Sequence, residues 1–118
     1  MTKTSKNTQY DLEDRTYDFA KRCRDYVKKL PRTISNIEYG KQLIRASGSV
    51  ASNYIEANES LSKKDFKMRI KICRKEAKES RLWLRLSEPK TKDQPEKEAL
   101  IKEATELMNI FGAIVRKK

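Results

Sequence analysis

Apolar residues recur at steps of three and four in four separate stretches of this chain. Leu12, Phe19, Cys23, Tyr26 and Leu30 mark the first, joined by Tyr10, Ala20 and Val27. Ile37, Ile44, Ala51 and Ile55 mark the second, widened by Leu43, Val50, Tyr54 and Leu61. Phe66, Ile70, Cys73, Ala77 and Leu84 mark the third, with Ile72 and Trp83 extending it on one side. Leu100, Ala104, Leu107, Phe111 and Ile114 mark the fourth, flanked by Ile101, Met108, Ile110 and Val115. A period between three and four places each set on one face of an α-helix, whereas strands alternate every two. Three Gly and three Pro in 118 residues leave little room for a turn-rich β fold. The chain is predicted to be all-α.

Local signals bound the elements. The first helix is expected from about Asp11 to Leu30, where Pro31 ends it because it cannot continue the hydrogen-bond ladder. Ser35 with Glu38 has the pattern of a capping box for the second helix, and Ser62 with Asp65 resembles one for the third. Asp93 or Gln94 can cap the fourth, with Pro95 in its first turn. Gly40, Ser47, Gly48 and Ala51 form a strip of small residues on the second helix. A helical Gly costs about 1 kcal/mol relative to Ala, so something is expected to approach that backbone closely. Residues 1–9 are polar and read as a flexible tail; residues 10–118 read as one domain. Four amphipathic helices with short links give an antiparallel up-down-up-down bundle. Met68, Leu82 and Leu86 lie off the third core stripe, and several helices carry more apolar surface than one stripe needs. Burial of the surplus in a homo-oligomer is the expectation.

Charge is the second feature. The chain carries 28 Lys and Arg against 17 Asp and Glu, a net +11. Residues 62–88 alone hold ten basic and four acidic residues. Within them Lys67, Lys71, Arg74, Lys78, Arg81 and Arg85 follow at steps of four, three, four, three and four. On a helix they form one uninterrupted row, about 100° from the core stripe. Each neighbouring pair of like charges costs about 0.2–0.5 kcal/mol, a repulsion that an anionic partner would relieve. A solvated helix face is the bland alternative. The strongly basic balance favours a polyanion held by phosphate contacts, with little base-specific readout. Tyr10, Tyr17, Tyr26, Tyr39 and Trp83 could stack on bases, but core or interface positions suit them better.

Other chemistry is poorly supported. There is no His, so the commonest general base is missing. Cys23 and Cys73 lie on apolar faces and read as buried free thiols, which suits a reducing cytoplasm. Glu56 and Glu59 are one turn apart, yet the paired-helix di-metal pattern needs Glu-x-x-His; a solvated helix end is the better reading. No phosphate-cradling glycine loop or dinucleotide fingerprint is present. No apolar run approaches the length of a membrane span. The chain is therefore expected to be non-enzymatic, to need no cofactor or metal, and to lie away from membranes. A protein-interaction module without direct nucleic-acid binding remains the alternative.

Several stretches carry a resemblance. They are Leu30-Pro31-Arg32-Thr33, then Gly40-Lys41-Gln42-Leu43-Ile44-Arg45-Ala46-Ser47-Gly48-Ser49-Val50, and Asn53-Tyr54-Ile55-Glu56-Ala57. Lys64-Asp65-Phe66 and the segment from Ile70 through Ser80 complete them. Together they resemble the bacterial four-helix-bundle proteins encoded within 23S ribosomal RNA intervening sequences. That family is similar in turn to the accessory variability determinants of diversity-generating retroelements. The resemblance spans roughly Tyr10 to Val115. It implies a ring-like homopentamer with a basic surface and, by way of the retroelement relatives, nucleic-acid binding and a reverse-transcriptase partner. It supplies no catalytic residues.

Overall fold

A computed structural model describes residues 8–117, with side chains from Leu12 to Lys117. Four helices follow one another: α1 (Thr8–Lys28), α2 (Ile34–Asn58), α3 (Lys63–Leu86) and α4 (Gln94–Arg116). A single 3-10 turn, Thr91–Asp93, precedes α4. Each helix packs on the next, and α1 returns to α4. Short links between packed neighbours make the arrangement an antiparallel four-helix bundle, as the four periodic stripes predict. No strand occurs among the described residues. Helix α1 begins at Thr8, ahead of the expected Asp11; the rest of the expected tail, residues 1–7, lies outside the described residues.

The predicted stripes of α1, α3 and α4 supply the core. Leu12, Phe19, Cys23, Tyr26, Ile70, Cys73, Ala77, Leu84, Leu100, Ala104, Leu107 and Phe111 are all buried. Helix α2 departs from expectation. Ile44 and Ile55 are 45% and 46% exposed, and Leu61 is 98% exposed. Leu43, Val50, Tyr54 and Ala57 face the core instead, alongside Gly40 and Ala46. The reason is steric. This helix carries two apolar stripes, and only one of them includes a glycine where α1 comes close. A Cβ on Gly40 would stand 2.9 Å from Val27 Cγ1. Gly48 was expected to accept a close neighbour too, but nothing lies within 4 Å of its Cβ position.

The caps also sort themselves. Thr33, not Ser35, caps α2, its side chain accepting from Asn36 N at 3.1 Å. Ser62 caps α3 as predicted, accepting from Asp65 N at 3.1 Å. Asp93 stands at the N-cap of α4 without a side-chain bond, and a proline occupies that helix's first turn.

The end of the bundle holding the α1–α2 and α3–α4 links is densely bonded. Asn36 Nδ2 donates to Pro31 O and to Glu88 O, both at 3.0 Å, while its Oδ1 accepts from Glu88 N at 2.9 Å. Ser87 Oγ donates to Leu84 O at 2.7 Å, so the 2.6 Å bond between Tyr26 OH and Ser87 Oγ has the tyrosine as donor. Lys97 Nζ donates to Ser87 O at 2.8 Å. Buried polar groups matched in this way avoid the desolvation penalty of an unpaired donor or acceptor.

Cys23 and Cys73 are free and buried. Burial pushes both thiols up to about 12. Cys73 Sγ donates to Val50 O at 3.6 Å.

Candidate nucleic-acid interface

The basic row lies along the edge of α3 that faces α4. Lys and Arg are good helix formers, and their long stems lie over apolar surface while the charges stay wet. Lys67, Lys71, Arg74, Lys78 and Arg85 are exposed, and Arg81 is half-buried. Arg81 Nη1 donates to Thr105 Oγ1 of α4 at 3.0 Å. Among the described residues none of the six makes an ion pair. From Lys67 to Arg85 the row runs about 27 Å at the helical rise. The six therefore share one face without meeting in one pocket.

Several acids pair across other seams. Arg15 of α1 reaches Glu103 at 2.8 Å and Glu106 at 3.1 Å on α4. The hydrogen bond to Glu103 raises the Arg15 pKa above its ordinary value. Arg45 of α2 pairs with Glu76 and Glu79 of α3 at 3.5 and 3.2 Å. Arg69 Nη1 donates to Asn53 Oδ1 at 2.8 Å. Ion pairs thus cross the α1–α4 and α2–α3 seams, and among the described residues none crosses the α3–α4 seam.

Helix α4 adds charge that the row alone does not reveal. A Cβ on Gly112 would stand 3.4 Å from both Arg74 Nε and Arg116 Nη1. The missing side chain leaves a notch where guanidiniums from two helices converge. Below Arg81, a groove of about 400 Å³ is lined by Lys75, Lys78, Glu79, Arg81, Leu82 and Arg85. At the densely bonded end a second concavity collects Lys28, Lys29, Arg32, Lys90 and Lys92 beside Asp93. Sequence spacing could not find the Arg74–Arg116 approach, because it depends on the register between two helices.

The aromatic residues follow the core reading with one exception. Tyr26 and Tyr54 are buried. Tyr39 stacks on Trp83 with ring centroids 6.0 Å apart. Tyr17 is 65% exposed. The Tyr10 side chain lies outside the described residues. Glu56 and Glu59 are exposed at the end of α2. Among the described residues no group of three or more His, Cys, Asp or Glu is placed to hold a metal ion. No helix among them is long and apolar enough to cross a membrane.

Known proteins place this bundle. The family model of the 23S rRNA-intervening sequence protein matches residues 8–113. The chain belongs to that family. A crystal structure of a protein of unknown function from the S23 ribosomal protein family of Bacteroides thetaiotaomicron VPI-5482 is similar to it. The two share 26% identity with a TM-score of 0.75, covering 90% of this chain and 99% of that one. A comparison with curated proteins gave no match. The match spans α1 to α3 whole and most of α4, and includes the whole basic row; a relationship to retroelement accessory proteins does not follow from it.

Proposed function

We propose that this chain binds nucleic-acid backbones without catalysis, along the α3–α4 seam. The observation that carries the reading is the row of six cations, none of which makes an ion pair among the described residues, while ion pairs cross the neighbouring seams. Arg116 supports it from α4. Phosphates laid along the seam would relieve the like-charge repulsion and release counterions. The row reads no base edges, so little sequence preference is expected. The family's name links it to ribosomal RNA and makes RNA the first polyanion to test. Free, buried thiols suit action in a reducing cytoplasm.

The test is fluorescence anisotropy of labelled RNA over a salt series. Affinity of the parent chain should fall steeply with salt. A variant carrying Lys71→Gln, Arg74→Gln, Lys78→Gln and Arg81→Gln should lose binding while keeping its helicity. Unchanged affinity in that variant overturns the reading.

A second reading, self-association into a scaffold, is favoured by apolar side chains on outer faces: Ile44, Ile55, Met68, Leu82 and Leu86 are all between 42% and 50% exposed. A homo-oligomer would cover them and repeat the row, so that weak contacts add through multivalency. Light scattering checks this; a monomer at micromolar concentration contradicts it. A pentameric ring and a reverse-transcriptase partner rest on the family resemblance alone. Co-purification of such an enzyme from native lysate would support the partner.

A further inference from the structure

A cavity of about 450 Å³ lies where α3 begins and α4 ends. Lys63, Lys64, Phe66, Lys67, Ile114 and Lys117 line it. Phe66 and Ile114 are half-buried, pack against the core and give it an apolar floor. The four lysines on its rim are exposed, and among the described residues none of them makes an ion pair. Among the described residues no acid lines it. The volume falls within the usual range for small-molecule sites, about 300–1,000 Å³.

An aromatic floor under several separate ammonium groups selects for a flat apolar body carrying more than one negative oxygen. A fatty acid would bring a single negative charge against the four lysines. Lys67 is also the first member of the basic row, so the cavity opens where that track starts. We propose that the cavity holds one nucleotide unit, its base against Phe66 and Ile114 and its phosphate among Lys63, Lys64, Lys67 and Lys117. The unit is either a free nucleotide or the unpaired terminal nucleotide of a strand on the row. The second form rests on the nucleic-acid reading above; the first does not.

The test uses the full chain. Uridine monophosphate should shift the NMR signals of the Ile114 methyls and the Phe66 ring, and ribose 5-phosphate at equal concentration should not. Phe66→Leu keeps an apolar side chain in place and removes the ring. It should weaken uridine monophosphate binding and weaken a short oligouridine roughly tenfold, as expected for one lost stack. Duplex RNA of equal length should bind as before. Loss confined to the monophosphate assigns the free nucleotide; loss with oligouridine as well assigns the strand end. If Phe66→Leu binds both probes like the parent, or if dodecanoate shifts these signals and uridine monophosphate does not, the proposal is overturned. The Lys71→Gln, Arg74→Gln, Lys78→Gln variant separates the two readings. Undiminished oligouridine binding there counts against the row, while the Phe66-dependent shift by uridine monophosphate still judges the cavity.

Discussion

Arg81 Nη1 donates to Thr105 Oγ1 at 3.0 Å, and that hydroxyl donates in turn to Ile101 O at 2.9 Å. One cation of the row is thereby fixed against α4 while its neighbours stay free. Thr105→Val keeps the shape and removes the acceptor. It should lower stability by about 0.5–1.5 kcal/mol, the worth of a typical hydrogen bond. Urea unfolding measures this, and helicity should not change.

Neutralising the free members should weaken binding and strengthen the fold together. Lys71→Gln, Arg74→Gln and Lys78→Gln remove four like-charge contacts along α3, worth about 0.8–2 kcal/mol at low salt. The same variant should flatten the slope of log affinity against log salt by roughly two for single-stranded RNA. Paired denaturation and anisotropy measurements check both signs.

The glycines should respond differently to the same change. Gly48→Ala meets nothing within 4 Å and should stabilise by about 0.5–1 kcal/mol from helix propensity alone. Gly40→Ala puts a methyl 2.9 Å from Val27 Cγ1 and should destabilise, because overpacking costs about 1–3 kcal/mol. Gly112→Glu should fill the notch between Arg74 and Arg116 with a carboxylate and weaken RNA binding. Thermal melts and anisotropy distinguish the outcomes.

The thiols predict a pH dependence. Burial raises Cys23 and Cys73 from 9.0 to about 12 in the folded state. A raised acid stabilises the fold fully below its unfolded value and loses that contribution as pH climbs toward the folded one. Burial raises Tyr26 and Tyr54 in the same direction. The urea midpoint should therefore fall between pH 9 and pH 12. Below pH 9 both cysteines should resist iodoacetamide until the chain is unfolded.

Periodicity carried most of the fold because amphipathic helices must bury one stripe. It failed on α2, where Ile37–Ile44–Ile55 and Leu43–Val50–Tyr54 are equally regular. The buried one carries Gly40 against Val27, and that contact belongs to two helices at once. The row was legible because its order is local to α3. Arg116 was not, since its approach to Arg74 depends on how α4 slides against α3. Asn36 gave no local sign that it would bond Glu88, far along the chain.

Asn36 also makes the two ends of the molecule unequal. It ties the α1–α2 link to the α3–α4 link, while the turn at Ser60–Ser62 makes only local bonds among the described residues. The bundle works like a clothes-peg held at its spring. Hydrogen exchange should then be slowest near Asn36 and faster at the opposite tips, where Lys63, Phe66 and Ile114 sit. The jaws of the peg are the lysine-rimmed cavity, so a guest could enter by widening them without unfastening the core.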